Sequence, residues 1–253
     1  MLFLDPAPAL MRNYTFPSDH ALQGDGNNLS AVLHNLWGAD HNKEIEAQRG
    51  QQEPFRQQRQ AILGFIQSLP EQNIAGLSFL EEPRGGVMLT LHETFGDQHR
   101  AYDASLLSDG TLRVLSIAAA MLSAEEGSLV VIEEIDNGVH PSRARHLLNN
   151  IREIAQRRNL RVLLSTHNPA LLDALPDAAL PDALFCYRDP MQGDSCIIRL
   201  QDIPDYPELI AQDSLGGLAT SGVLERFVKH PPAGDRKERA LAWLETLKQG
   251  AEP

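Results

Sequence analysis

Apolar residues in the first hundred positions follow three kinds of spacing. The apolar run 2–4 is followed by Asp5 and Pro6, which predicts the end of a strand because proline cannot continue a hydrogen-bonded ladder. Spacings of three and four residues predict helices over 29–36 and over about 54–69. From 74 to about 102, apolar and polar residues alternate, which predicts antiparallel strands.

After residue 107 the pattern changes to helices that alternate with short apolar runs. We predict a helix over about 112–122, a strand over 128–132, a helix over 142–158 and a strand over 160–165. The helix over 142–158 carries its apolar residues on one stripe, which we expect to face a sheet. A strand, a helix and a strand of these lengths form a right-handed parallel unit.

The last third of the chain contains both cysteines. Further strands are predicted at 183–187 and 196–200, and they contain Cys186 and Cys196. Because the spacing of the two cysteines fits neither a zinc site nor a disulfide framework, we expect both to be reduced core residues. A polar helix is predicted from about 230.

Composition narrows the class of protein. The 253 residues are 42% hydrophobic, which is enough for an ordinary globular core. No stretch of eighteen apolar residues occurs and the amino terminus does not resemble a signal peptide, so we expect a cytoplasmic protein without a membrane partner. The net charge of -12 repels phosphate backbones, so nucleic-acid binding would need a local basic patch or a partner.

The candidate chemistry begins with the acids that follow the strand at 128–132. Glu133 and Glu134 are adjacent and Asp136 follows them in a turn. Neighbouring residues of a strand point to opposite faces, so two acids at its carboxyl end can do different jobs in the crevice where parallel sheets bind ligands. One can hold a metal and the other can orient water, although a bare pair of acids is more often a solvated loop.

Two further motifs flank these acids. Ser108-Asp109-Gly110 precedes a predicted helix, where free backbone N–H groups and the positive end of the helix favour an anion, although this pattern alone is also an ordinary helix cap. Downstream, the strand at 160–165 leads to His167, with Asn168 as a predicted cap before a proline. A lone histidine at such a place is usually structural.

Together, the three motifs resemble the ABC-type ATPases, in particular the RecF-like and OLD-like group of DNA-associated, AAA-annotated ATPases. The resemblance covers residues 106–175 and implies ATP and Mg²⁺ as cofactors. It also implies a homo- or hetero-dimer in which the signature loop of one subunit touches the ATP of the other. The site residues that it implies are Ser108, Asp109, Gly110 and Asp136 for the nucleotide, Glu133 for the metal, Glu134 as catalytic glutamate and His167 as switch histidine.

Two features depart from the family pattern. Glu133 stands where the family has its Walker B aspartate, so the metal contact is either direct or through water. The sequence also contains no Gly-x-x-x-x-Gly-Lys-Ser/Thr, the loop that binds the phosphates of ATP. We therefore expect the carboxy-terminal half of the ATPase, with the amino-terminal lobe that carries this loop absent.

The fold class that follows is α/β: a partial P-loop NTPase sheet, similar to ABC ATPases, with flanking helices and an antiparallel β section. We expect an incomplete helical and antiparallel-strand region over 1–105, a catalytic lobe over 106–229 and a polar tail over 230–253.

Three functions remain open. The first is an ATPase half-module, inactive alone, that takes its phosphate-binding loop from a missing amino-terminal part or a partner. The resemblance places it in DNA repair or anti-phage defence, with a nuclease and DNA as further partners. The second is an interaction subunit that keeps the fold without hydrolysing ATP. The third, a metal-dependent nuclease using Glu133, Glu134 and Asp136, is disfavoured because the second acidic strand end of a two-metal site is missing.

Overall fold

The computed structural model describes residues 1–38, 53–66, 73–203, 206–211 and 213–229. It divides into two compact units, Met1–Ala174 and Leu175–Pro253. The boundaries that the sequence predicts at 105/106 and 229/230 are different, and they stay predictions. None of the helices in the described ranges has the length and apolar character needed to cross a bilayer.

Helices and strands of the first unit follow the predicted order. In chain order they are β1 (Leu2–Leu4), α1 (Pro8–Met11), α2 (Leu29–Trp37), α3 (Glu53–Ile66), β2 (Ile74–Glu81), β3 (Val87–Phe95), β4 (Gln98–Asp103), α4 (Asp109–Ser123), β5 (Leu129–Ile132), α5 (Pro141–Arg157), β6 (Arg161–Leu164) and α6 (Pro169–Asp173). The second unit contains β7 (Leu184–Arg188), β8 (Ser195–Arg199), α7 (Tyr206–Ile210), α8 (Leu215–Thr220) and α9 (Val223–Lys229).

A parallel sheet of three strands, in the order β1-β5-β6, forms the centre of the first unit. β5 and β6 are neighbours joined through α5, which confirms the predicted parallel unit. Leu4, Val130 and Ile132 are completely buried on one face of this sheet. The stripe of α5 that was predicted to be core is also buried, at Ala144, Leu147, Leu148, Ile151 and Ile154.

The antiparallel section is confirmed as a second sheet, in the order β2-β3-β4. Leu89 and Leu91 of β3 are fully buried, and α2 packs against this strand. A side-chain hydrogen bond joins α2 to this sheet: the backbone N–H of Leu89 donates to Oγ of Ser30 at 3.1 Å. The α/β class predicted from the sequence is therefore confirmed.

Helix α4 lies at the centre of the first unit. Its alanines Ala118, Ala119 and Ala120 have no exposed surface, and the helix contacts α2, α3, β1 and β5. Small side chains permit such close packing on several sides. The position of this helix matters for function because its amino-terminal end carries the Ser108-Asp109-Gly110 motif.

The prediction that both cysteines are core residues is wrong. Cys186 is exposed and Cys196 is partly exposed, and both are free thiols. They lie on the antiparallel pair β7-β8, a sheet of only two strands, where burial alternates between exposed and half-buried positions. The predicted helix from about 230 and the end of the predicted helix at 67–69 lie outside the described residues.

Candidate functional site

The three strands of the parallel sheet end at the same edge. Leu4 pairs with Ile132, and Ile132 pairs with Leu164, so the strand ends are in register. The ladder continues one step beyond them: the N–H of Glu133 donates to the carbonyl of Leu4, and that of Ser165 to the carbonyl of Ile132, both at 3.0 Å. The predicted acids therefore follow β5 at the carboxyl edge, where open parallel sheets bind ligands.

Glu134 has an unusual backbone conformation. Its φ angle is +45°, in the left-handed region that residues other than glycine seldom adopt. Its N–H donates to Oγ of Ser165 at 3.0 Å, and its carbonyl accepts from the N–H of Asn137 at 2.9 Å. The Asn137 side chain also donates to Oε2 of Glu134 at 2.5 Å. These bonds fix both the backbone and the exposed carboxylate, and strained residues of this kind are concentrated at functional sites.

The loops after β5 and β6 are joined through Asp136. Its carboxylate is buried and accepts a hydrogen bond from Oγ1 of Thr166 at 2.5 Å. The same hydroxyl oxygen accepts from the N–H of Asn168 at 3.0 Å. His167 lies between these two residues and is exposed. Asp136, which the resemblance implied for nucleotide contact, therefore has a carboxylate that holds the histidine loop.

The start of α4 matches the predicted cap. Ser108 is exposed, and its Oγ accepts from the N–H of Thr111 at 3.1 Å. Asp109 forms an ion pair with Arg12 at 2.6 Å. The same guanidinium donates to the carbonyl of Leu107 at 2.9 Å, so Arg12 fixes the loop that leads into the helix.

Two glycines bring the helix start into contact with the loop after β5. A Cβ atom on Gly110 would lie 2.4 Å from the carbonyl oxygen of Gly138, closer than real Cβ atoms approach another atom. Gly138 has a φ of +79°, which also favours glycine. The three predicted motifs are therefore connected: Gly110 contacts the loop of Asp136, and Asp136 bonds the loop of His167.

The sequence reasoning missed two charged residues of this region. Asp5 follows β1 at the same sheet edge as Glu133, and Arg12 binds the loop before α4. Neither belongs to a local motif, and each meets its neighbours across about a hundred residues of chain. A strand end followed by an acid, as in Leu4-Asp5, was the one available signal for Asp5.

The residues at the sheet edge fit a magnesium ion that is shared with phosphates. Mg²⁺ in such sites takes one or two carboxylates and completes its shell with water and phosphate oxygens. Glu133 offers one carboxylate. Asp5 follows β1, the strand next to β5, and neighbouring strands of a sheet lie about 4.8 Å apart. Within the described ranges no three His, Cys, Asp or Glu side chains are grouped so that they could hold a metal by themselves.

Part of the chain is similar to a curated protein, an ATP/GTP phosphatase of Helicobacter pylori. The two are 31% identical over 103 residues, which are 37% of this chain and 27% of the relative. The chain thus matches about a quarter of that relative's length.

Two solved structures are also similar. The Smc head domain with a coiled coil and joint from Pyrococcus yayanosii is 14% identical, with a TM-score of 0.40, over 69% of this chain and 32% of that one. The SMC head domain from Thermotoga maritima is 16% identical, with a TM-score of 0.36, over 64% and 51%.

A family model matches residues 2–173. The match includes the parallel sheet, the antiparallel sheet and all three motifs, and it extends over well more than half of the chain. The chain therefore belongs to the family described as "AAA domain, putative AbiEii toxin, Type IV TA system".

Proposed function

We propose that this chain is a half-module of an ATP hydrolase. It would supply the catalytic acid, the switch histidine and the signature-like helix start, while another segment or chain supplies the phosphate-binding loop. The observation that carries the proposal is the continuous surface formed by the three motifs, in which Gly110 touches Gly138 and Asp136 bonds Thr166. Family membership agrees with this assignment.

Four residues after β5 and β6 have roles in the proposed reaction. Bound Mg²⁺ would neutralise charge on the phosphates. Glu133, directly after β5, is the residue that would hold the ion through its carboxylate. Glu134 orients the attacking water as general base, and Asn137 keeps its carboxylate in place. His167 lies exposed in the neighbouring loop, from which it can contact a phosphate oxygen.

The uncovered face of the parallel sheet supports a second component. Phe3, Val131 and Leu163 are paired across the three strands, and Phe3 and Leu163 are 46% and 49% exposed. Purely parallel sheets normally have both faces covered. This apolar row is a suitable packing surface for the segment or chain that carries the loop, whose strand and helix would bring the loop to the same sheet edge.

The dimer and the biological role belong to the same proposal. We propose that ATP binds between the signature surface of one subunit and the phosphate-binding loop of the other, in a dimer of two assembled modules or of this chain and a relative. The sequence resemblance to RecF-like and OLD-like ATPases supports a role in DNA repair or anti-phage defence, beside a nuclease. The name of the Helicobacter pylori relative, an ATP/GTP phosphatase, supports hydrolysis of a nucleoside triphosphate.

Calorimetric titration of the chain alone with Mg-ATP tests the half-module. We expect a dissociation constant weaker than about 1 µM, which corresponds to about -8 kcal/mol, because the phosphate cradle is missing. Tight binding by the chain alone would contradict the proposal. Addition of a chain with the loop should then produce hydrolysis, and an assembled complex that binds ATP without hydrolysing it would favour the interaction subunit.

A further inference from the structure

A basic surface covers two adjacent helices of this acidic protein. Helix α5 has four arginines and one acid, and the described side chains of α3 over 56–66 include two arginines and no acid. The whole chain has a net charge of -12, so this concentration of positive charge is local. The arginines of this surface, which we call the α3/α5 face, are Arg56, Arg59, Arg143, Arg145, Arg152 and Arg157.

Direct bonds join the two helices of the α3/α5 face. The carbonyl of Gly64 accepts from the Asn150 side chain at 2.8 Å and from Nε2 of His146 at 3.1 Å. Near the other end of α5, a groove of about 470 Å³ between the helices is lined by residues that include Gln57 and Arg157. The α3/α5 face is therefore a continuous polar surface rather than two separate patches.

The outer side of α5 presents hydrogen-bond donors in a row. Arg145, Asn149, Arg152 and Gln156 are spaced by four, three and four residues, which places them on one stripe, and all four are exposed. The stripe is about 16 Å long at 1.5 Å per residue. In the described part of the chain, Arg145 and Arg152 make no ion pair or side-chain hydrogen bond, so their guanidinium groups are available.

The acids near the α3/α5 face lie to one side of this stripe. Glu153 is 3.5 Å from Arg157, which lines the groove. Glu126 lines the groove and interacts with the half-buried Arg158, whose guanidinium already donates to the carbonyls of Met121 and Ala124. Among the described acids, none pairs with Arg145 or Arg152.

The chemistry of the α3/α5 face fits a phosphate backbone better than a protein or a membrane. None of the large hydrophobic residues that are exposed in the described chain lies on α3 or α5. The energetic centres of protein interfaces combine arginine with aromatic residues, membrane-surface helices need an apolar face, and single-stranded nucleic acid is bound by stacking on aromatic side chains. Arginines and amides without such groups suit a duplex, which carries one charge per about 1.7 Å.

We infer that the α3/α5 face binds the phosphate backbone of duplex nucleic acid without sequence preference. Arg145 and Arg152 make the central contacts, with Asn149 and Gln156 as additional donors. The binding does not require ATP, because none of these residues belongs to the candidate nucleotide surface. Failure of the proposed hydrolysis would therefore leave this inference standing.

The test measures the affinity of the whole chain for a labelled duplex by fluorescence anisotropy at several salt concentrations. Arg145→Glu and Arg152→Glu should each weaken binding about tenfold or more at about 0.1 M salt and lower the salt slope by about one. Arg84→Glu is the matched control, because Arg84 is exposed in the turn between β2 and β3 and the change in charge is the same. It should change affinity less than about twofold.

The other ligands separate the alternatives. Duplex DNA and duplex RNA share the backbone chemistry, and stronger binding of one identifies the source without changing the site. Equal affinity for polyglutamate or for phosphatidylserine vesicles, lost in the same variants, would overturn the assignment to nucleic acid. Absence of duplex binding by the unmodified chain, or equal loss in Arg84→Glu, would overturn the site. Melting temperatures establish that each variant is folded. If Arg145→Glu does not fold, Arg145→Ala is measured in its place.

Discussion

Glu134 is the residue at which stability and function are most clearly opposed. A left-handed conformation costs a residue with a side chain about 1 to 2 kcal/mol. Hydrogen bonds from Glu134 to Ser165 and from Asn137 to Glu134 compensate for this cost. Glu133, directly before it, has no such conformation and continues the strand ladder. The strain is thus confined to the acid that we propose as the general base.

Substitution of Glu134 separates its two roles. Glu134→Gln should abolish hydrolysis in the assembled ATPase while ATP-dependent association remains, because the amide keeps the shape but cannot act as the base. Glu134→Gly should also abolish hydrolysis, but its melting temperature should be unchanged or higher, because glycine tolerates a positive φ. Steady-state phosphate release and thermal unfolding are the two measurements.

Glu133→Gly is the matched control for stability. The two acids are adjacent and both exposed, yet glycine at 133 should cost about 0.5 to 1 kcal/mol, because residue 133 has no positive φ for glycine to relieve. Equal destabilisation at both positions would contradict the strain argument. Hydrolysis by Glu134→Gln within a few-fold of the unmodified enzyme would move the catalytic role to Glu133 or Asp136.

At the scale of the elements, the contact between the start of α4 and the loop after β5 is made by backbone alone. Gly110→Ala should lower stability by about 2 kcal/mol or more, because its Cβ would overlap the Gly138 carbonyl and one loop must move. Urea unfolding measures this loss. Gly64→Ala is the control: it lies inside α3 with only ordinary contacts at 3.9 Å and should gain up to about 1 kcal/mol. If Gly110→Ala and Gly64→Ala both change stability only slightly, the loop before α4 and the loop after β5 adjust freely, and the close contact has no energetic importance.

The sequence predicted those elements whose patterns are local. The stripe of α5 and the alternation of β3 each require only a few neighbouring residues, and both are confirmed. The ion pair between Arg12 and Asp109 joins residues 97 positions apart, and no local pattern encodes it. The left-handed Glu134 was also unpredictable, because one of the bonds that hold it is made to Ser165, which follows β6 and is 31 residues away.

The cysteine prediction was wrong for a related reason. Apolar residues in a short strand indicate burial only if another layer covers them, and the alternation within β7 and β8 does not specify such a layer. For the candidate site, the sequence predicted the three motifs, but their connection through Gly110, Gly138 and Asp136 depends on tertiary packing.

In the whole molecule, α5 links the two proposed activities. The helix is capped by His140, which follows the loop of Asp136 and whose ring accepts from the N–H of Ser142. Its outer stripe carries Arg145 and Arg152. A duplex bound along this helix would therefore contact an element whose first turn adjoins the candidate nucleotide surface. Such an arrangement allows nucleic acid to bias the position of the loop that carries Asp136.

The association of two ATPase surfaces is tested at Ser108, because its proposed role exists only between subunits. Ser108→Arg places bulk and charge at an exposed helix start, so ATP-dependent association with a chain that carries the phosphate-binding loop should be lost. The fold should survive: a lost cap costs about 1 kcal/mol, or about 2 to 4 °C in melting temperature. Light scattering with and without Mg-ATP, together with thermal unfolding, measures both effects.

Ser214→Arg is the matched control for Ser108→Arg. Ser214 caps α8 in the second unit by accepting from the N–H of Gly217 at 3.1 Å, so its replacement removes a similar cap outside the three motifs. We expect a similar small loss of stability with normal association. If Ser108→Arg associates as well as Ser214→Arg, Ser108 is only a helix cap and the signature surface lies elsewhere. If its melting temperature falls much further than that of Ser214→Arg, the start of α4 is packed inside the fold and cannot meet a partner's ATP.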